Sequence, residues 1–230
     1  CAFAIAPLAR ADGSVQVSVK DNKGTPVADA VVSLMPLDAK PAVRPPDAPF
    51  VIAQRGEEFD PYVTALVVGS RVSFPNQDAV RHQVYSISKP KKFEIPLYGP
   101  GAGETLTFDQ PGIVSLGCNI HDWMSAHIVV LETPFFLKTP ANGLATLAAL
   151  PPGRYRLDIW HPRLVNETKR EVVIAPADSA TTPKENLSVP GRTGAATAFP
   201  CVKALMIYPV KVEGDELLVM KEEDLFAVVE

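Results

Sequence analysis

The chain has 230 residues, of which 47% are hydrophobic and 21% charged, and its formal net charge at pH 7 is −4. This apolar fraction can supply the core of one large domain or two small ones, which argues against global disorder. Acidic and basic residues are interspersed along the chain. The concentrated basic surface that nucleic acids require is therefore missing from the sequence, and we predict no nucleic-acid partner.

The first residues predict export. Residues 1–11 are apolar, contain no acidic residue and end in Ala9-Arg10-Ala11, a small-x-small pattern that signal peptidase accepts. We interpret them as a signal-peptide remnant; a disordered terminus, an edge strand or a lipid-modified Cys1 are the alternatives. No uninterrupted apolar run approaches the roughly 20 residues that span a bilayer, so no membrane span is expected. The predicted location is the periplasm, an oxidising compartment.

Short apolar runs with period-two alternation, interrupted by turn residues, predict an all-β protein. Residues 14–37 have the pattern of a hairpin, with an Asp-Asn-Lys-Gly turn. The proline-rich residues 38–49 predict an extended connection. Residues 51–131 then contain evenly spaced strands, which is typical of a sandwich or barrel of roughly seven or eight strands.

After Thr133 the pattern changes to strands joined by Asn142-Gly143 and Pro151-Pro152-Gly153 turns. This segment resembles the second half of the carboxypeptidase-regulatory-like, or transthyretin-like, β-sandwich, and residues 14–37 resemble its first half. The resemblance implies a small sandwich interrupted by a second domain, although two domains in tandem also fit. The predicted boundaries are a remnant at 1–11, a first half at 12–38, a central domain at 46–131, a second half at 132–176, and a C-terminal extension of unknown structure at 177–230.

The block GCNIHDWM carries the strongest chemical signal in the chain. It places Cys118, His121 and Met124 at intervals of three, between the predicted strands GIVSLG and HIVVLE. His82 precedes the predicted strand QVYSIS further upstream. Copper that changes oxidation state is bound by a soft thiolate, two imidazoles and a weak axial thioether. The sequence therefore predicts one copper ion held by His82, Cys118, His121 and Met124.

These four residues resemble the ligands of cupredoxins, and the tight Cys-x-x-His-x-x-Met loop is similar to that of amicyanin. The whole chain resembles bacterial exported proteins labelled "methylamine utilization protein". The resemblance implies a cupredoxin Greek-key β-sandwich and a type 1 (blue) copper site that carries single electrons, with no enzymatic activity of its own. It also implies a redox protein partner, either a dehydrogenase or a cytochrome. Two residues depart from the family: Gln83 replaces an Asn that pins the ligand loops together, and Ile120 replaces a Pro.

Other interpretations stay open. The cysteine and histidines could hold zinc, although zinc usually closes its shell with more Cys or His. Cys118 could form a disulfide with Cys201 in an exported protein. The chain could also handle copper, or bind protein or carbohydrate, without a redox role. His127 is expected at the surface or beside the ligands, and His161 is expected to be a hydrogen-bonded histidine at a strand end. Trp123 could shield the metal, dock a partner or simply pack.

Overall fold

The computed structural model describes residues 12–21, 23–164, 168–174, 184–189, 211–213 and 216–218. In chain order its strands are β1 (Gly13–Asp21), β2 (Val31–Pro36), β3 (Phe50–Val51), β4 (Ala53–Gln54), β5 (Phe59–Asp60), β6 (Val63–Val67), β7 (Ser70–Ser73), β8 (His82–Ser86), β9 (Phe93–Tyr98), β10 (Thr105–Phe108), β11 (Gly112–Gly117), β12 (Ser125–Leu131), β13 (Phe136–Lys138), β14 (Leu144–Leu150), β15 (Gly153–Trp160), β16 (Thr168–Ile174), β17 (Lys184–Val189), β18 (Lys211–Glu213) and β19 (Glu216–Leu218).

The predicted all-β class is confirmed, since every regular element in the described ranges is a strand. None of the described residues forms a helix that is long and apolar enough to cross a membrane. The predicted signal-peptide remnant at 1–11 and Cys201 both lie outside the described residues.

Residues 50–131 form what we call the central sandwich. Its larger sheet has five strands in the order β6-β12-β11-β8-β9, and its smaller sheet has the order β10-β7-β3. Alternate side chains of both sheets meet in one core because successive residues of a strand point to opposite faces. Fully or almost fully buried members of this core are Ile52, Leu66, Val72, Phe74, Val84, Phe108, Val114, Leu116, Ala126 and Ile128.

Strands that precede and follow the central sandwich in the sequence form a second unit, the flanking sandwich. Its sheets have the orders β14-β1-β17 and β13-β2-β15-β16, so β1 and β2 pair with strands that follow residue 131. β1 shows the expected alternation, with Val15, Val17 and Val19 fully buried. These valines share a core with Leu157 and Ile159 of β15, among others.

The two sandwiches meet at a junction formed around β12. This strand is buried along its middle five residues without alternation. The reason is that its two faces are both covered: Ile128 packs in the central core, whereas Val129 packs against Val31 and Val63 at the junction. Continuous burial of this kind is typical of a strand that is covered on both faces.

The strand pairing brings three chain segments to one end of the five-stranded sheet. β11 runs antiparallel to both β12 and β8, with Gly117 opposite Ser125 and Tyr85. The end of β11, the start of β12 and the start of β8 therefore lie together. A Cβ atom on Gly117 would lie 2.8 Å from the Tyr85 ring, so the absence of a side chain there permits the close approach of β11 and β8.

Candidate metal centre

Three of the four predicted ligands meet at this end of the central sandwich. His82 is the first residue of β8, Cys118 directly follows β11, and His121 lies in the loop that leads to β12. The ligating nitrogen and sulfur atoms of these residues all lie within 4.8 Å of one another. Residues separated by more than thirty positions in the chain thus form one cluster because antiparallel pairing aligns their strand ends.

The atoms of the cluster are oriented toward a common point. The Nδ1 atoms of His82 and His121 are 3.2 Å apart, and the Cys118 sulfur is 3.9 Å from His121 Nδ1. The His82 side chain is fully buried and Cys118 is almost fully buried, whereas His121 is half-buried. Two imidazole nitrogens and one sulfur therefore face each other in a site that opens to solvent on the His121 side.

Met124 is the last residue of this loop, directly before β12. It is 2% exposed and packs in the same core cluster as Cys118. Its backbone N–H donates to the His121 carbonyl oxygen at 3.0 Å, which closes a turn between the two residues. The turn carries the chain from the half-buried His121 back into the core, where β12 begins. Met124 as the weak axial ligand stays a prediction.

Asp78 fixes the orientation of His82. Its Oδ2 atom is 2.8 Å from His82 Nε2, on the side of the ring away from the cluster. Burial by itself would raise the pKa of the Asp78 carboxyl, but the backbone N–H groups of Glu57 and Gly56, with His82, outweigh it and hold this pKa below its usual range. An ionised carboxylate only accepts hydrogen bonds, so Nε2 donates to Asp78, and in the neutral ring this leaves the Nδ1 lone pair facing the cluster.

Asp78 was not predicted from the sequence, although a signal for it exists. A histidine that binds a metal usually donates its other ring N–H to a carboxylate, carbonyl or water. Asp78 lies four residues before His82 in a loop, which is within reach of the ring. A search for such a carboxylate near each predicted ligand would have found it.

Tyr98 and Gln54 form a hydrogen-bonded pair near the start of β8, where His82 lies. Tyr98 of β9 pairs with His82 in the sheet, and its hydroxyl donates to the Phe74 carbonyl oxygen at 2.6 Å. The fully buried Gln54 amide also hydrogen-bonds the Tyr98 hydroxyl. Burial raises the pKa of Tyr98, so the phenol stays protonated and keeps its role as donor. No sequence pattern pointed to this pair.

Gln83 and Ile120, the two residues that differ from the cupredoxin pattern, directly follow His82 and directly precede His121, respectively. The Gln83 side-chain amide donates to Glu94 on β9 at 2.5 Å and forms no hydrogen bond with the loop of Cys118 among the described residues. Ile120 is 49% exposed and Trp123 is 55% exposed, on either side of His121. The ring centroids of His121 and Trp123 are 5.1 Å apart. Trp123 is thus an exposed ring beside the most accessible histidine and is not part of the core.

The donor set fits copper. Imidazole suits copper and zinc alike, and a thiolate together with a thioether is the soft combination that copper prefers. In the described residues, Cys118 is a free thiol, and no further Cys or His joins the cluster to complete a structural zinc shell.

The other two histidines lie at the junction, away from this cluster. His127 was expected at the surface or beside the ligands, and its surface placement was wrong: it is 6% exposed, and its ring contacts Tyr62 and Trp160 edge-on. The error arose because alternation along β12 could not show that both faces of that strand are covered. His161 follows β15 and accepts the Arg163 backbone N–H at 3.1 Å, as expected for a hydrogen-bonded strand-end histidine.

Comparison with solved structures places copper proteins among those similar to this chain. A copper-containing nitrite reductase (NirK) from Thermus scotoductus SA-01 is 29% identical, over 42% of this chain and 25% of that chain, with a TM-score of 0.36. A reduced Cu(I) form of an amicyanin mutant is 21% identical over 37% of this chain and 85% of its own, with a TM-score of 0.35. A purple cupredoxin from Nitrosopumilus maritimus is 22% identical over 36% of this chain and 99% of its own, with a TM-score of 0.33.

Comparison with known sequences adds little. No protein-family model matches the chain. A stretch of 21 residues is 95% identical to the co-chaperonin GroES of Polaromonas naphthalenivorans, and this covers 9% of the chain and 22% of that protein. Because the TM-scores are below 0.5 and this match is so short, the chemistry of the site rests on its own geometry.

Proposed function

We propose that the protein is a periplasmic carrier of single electrons with one type 1 copper ion held by His82, Cys118, His121 and Met124. The observation that supports this most directly is the convergence of the His82 and His121 Nδ1 atoms, 3.2 Å apart, with the Cys118 sulfur 3.9 Å from His121. Copper bound there would supply one-electron chemistry by alternating between Cu(II) and Cu(I). The protein's own residues would keep the geometry constant.

Burial and hydrogen bonding support a site that changes little when its charge changes. His82 is fully buried and its Nε2 atom is held by Asp78 at 2.8 Å. Cys118 is packed in the central core. An electron carrier benefits from ligands that do not move between oxidation states, and residues fixed by outer contacts provide this.

The exposed side of the site offers a contact for a redox partner. Ile120 and Trp123, each about half exposed, flank His121. Protein interfaces are enriched in aromatic residues, and an apolar rim around the most accessible ligand would bring a partner close to the metal. We propose that a dehydrogenase or cytochrome docks there. The export pattern of residues 1–11 supports a periplasmic location for this exchange.

The test is the visible absorption spectrum of the purified protein after addition of Cu(II). Wild type should show the intense charge-transfer band of a thiolate–copper bond. Cys118→Ser should lose the band completely, because a hydroxyl cannot replace the thiolate. Asn119→Ser is the matched control, since it lies in the same loop with its side chain exposed, and it should keep the band.

A colourless wild-type protein would contradict the proposal. A coloured protein that cannot be reduced and reoxidised reversibly would instead favour the alternative, in which the chain handles copper without transferring electrons. Cyclic voltammetry of the copper-loaded protein separates these two outcomes.

A further inference from the structure

The two loops that carry the ligands are joined by a third segment, the hairpin turn of residues 55–58 between β4 and β5. The Arg55 N–H donates to the Glu58 carbonyl oxygen at 2.9 Å, and the reverse bond measures 3.3 Å. Gly56 and Glu57, at the tip, both have positive φ angles, 62° and 58°. Consecutive residues in this conformation point their N–H groups to one side and form a small anion-binding concavity.

The concavity holds the loop that precedes His82. The Gly56 and Glu57 N–H groups donate to the two carboxylate oxygens of Asp78, at 2.6 and 2.9 Å. A further bond joins the Arg55 side chain to Gln77 at 2.8 Å. Asp78 also accepts a hydrogen bond from His82 Nε2. The turn is therefore connected to His82 through this one carboxylate.

The same turn binds the loop of the other ligands. The Trp123 indole N–H donates to the Glu57 carbonyl oxygen at 3.1 Å. Trp123 lies between His121 and Met124, and its ring contacts that of His121. Glu57 therefore contacts one ligand loop through its N–H and the other through its C=O.

The left-handed conformation of Glu57 is what permits this double contact. A non-glycine residue rarely adopts a positive φ angle and persists there only where its surroundings hold it. Here the surroundings are the Asp78 carboxylate and the Trp123 indole. Gln83, which directly follows His82, donates its side-chain amide to Glu94 on β9 and forms no hydrogen bond with the turn among the described residues.

We infer that the 55–58 turn fixes the two ligand loops relative to each other, with Asp78 and Trp123 as positioning residues. Asp78 links the turn to His82, and Trp123 links it to the loop of Cys118 and His121. The inference that this turn serves a copper site rests on the proposed function, but the coupling between the two loops is a property of the protein without metal. That coupling can be measured separately.

The first experiment uses the metal-free protein. The Trp123 indole N–H should be protected from hydrogen exchange in wild type, as measured by NMR. Asp78→Asn should accelerate this exchange, because an amide cannot accept from Gly56, Glu57 and His82 at once and the turn loosens. Asp78 and Trp123 contact different atoms of the turn, so a purely local role of Asp78 would leave the indole exchange unchanged and would overturn the inference.

The second experiment measures the rate at which the copper-loaded protein releases Cu(I) to a strong chelator. Asp78→Asn should release copper about 10- to 100-fold faster, the effect expected for loss of a partner of a ligating histidine. Trp123→Phe keeps the ring but removes the N–H, and should accelerate release about 2- to 10-fold, as for one hydrogen bond. The effect of the double variant should be less than the product of the single effects, since both act through one turn.

Gln83→Leu is the matched control. It removes a buried amide that directly follows His82 and hydrogen-bonds Glu94, not the turn, so it should change neither copper release nor indole exchange. Strictly multiplicative effects of Asp78→Asn and Trp123→Phe, or an equal effect of Gln83→Leu, would contradict the inference. If wild type binds no copper but the indole exchange still responds to Asp78→Asn, the proposed function fails and the coupling stands.

Discussion

The four histidines of the chain form two pairs with opposite properties. At the candidate metal centre, His82 and His121 face each other through Nδ1 beside a cysteine sulfur. At the junction, the His127 and His161 rings are also buried, but their neighbours are different. His127 Nδ1 lies 3.1 Å from the Ser115 hydroxyl, with two aromatic rings at its edges.

The difference shows that burial alone does not give a histidine the surroundings of a metal ligand. All four residues are at least half-buried, and all lie near strand ends or in the sheet. A metal site also needs ring nitrogens that converge and a soft donor beside them. At the junction, His127 has two aromatic rings and the Ser115 hydroxyl as neighbours, and His161 hydrogen-bonds backbone groups of Ala28 and Arg163, so neither ring faces a thiol in the described residues.

The largest effect should come from exchanging one histidine of each pair for glutamine. His121→Gln replaces an imidazole of the cluster by a weakly binding amide, and the affinity for copper should fall by at least about 100-fold, the upper end of what loss of an outer partner produces. His127→Gln should leave copper affinity unchanged. Competition with a chelator at neutral pH measures both, and equal losses would show that the two pairs are not distinct.

Acid should weaken the junction. Burial lowers the pKa of His127 to about 4, and burial with the nearby Arg163 charge lowers that of His161 to about 4, from an ordinary value of 6.5. The unfolded chain therefore binds protons that the folded chain excludes between about pH 6.5 and 4. The free energy of unfolding should be highest above pH 6.5, fall as the pH drops to about 4, and then level off for these groups. Each histidine should contribute up to about 3 kcal/mol to this loss.

Denaturant unfolding of the metal-free protein across this pH range provides the measurement. The double variant His127→Gln/His161→Gln should flatten the curve between pH 6.5 and 4. The pKa values of Asp21, Asp38 and Asp78 are also lowered, by hydrogen bonds that include those from Thr25, Arg154 and Glu57, and these groups add to the loss near pH 4 and below. Because the double variant keeps all three carboxylates, the difference between its curve and that of wild type isolates the two histidines. A curve that is equally steep without the two histidines would contradict the assignment.

The smallest effect concerns Lys138, which forms an ion pair within the flanking sandwich and a hydrogen bond to the central sandwich. The Lys138 ammonium lies 2.8 Å from the Asp29 carboxylate and donates to the Val63 carbonyl oxygen at 3.0 Å, on β6. Lys138→Met should lower the free energy of unfolding by about 1 kcal/mol, since the pair is partly exposed and screened. Urea unfolding at low and high salt would show it, with a smaller difference at high salt. A loss that does not depend on salt would mean that the lysine stem, and not its charge, holds the junction.

Local sequence patterns predicted much of the central sandwich. Period-two alternation indicated strands, and the interval of three between Cys118, His121 and Met124 placed these residues in one short loop between two of them. Both features are local, because side-chain direction in a strand repeats every two residues and a short loop keeps its residues together. His82 was added because copper needs a second imidazole, and no local pattern could place it beside the loop, since it lies 36 positions upstream of Cys118.

The sequence by itself thus determined the all-β class and the composition of the candidate metal loop. Only the tertiary structure decided that Asp78 orients His82, that the 55–58 turn contacts both ligand loops, and that both faces of β12 are covered. Each of these depends on contacts between segments distant in the chain, such as Trp123 with Glu57 or Val129 with Val31. Alternation in one strand reports only which way its side chains point, and what covers each face is determined when the sheets pack.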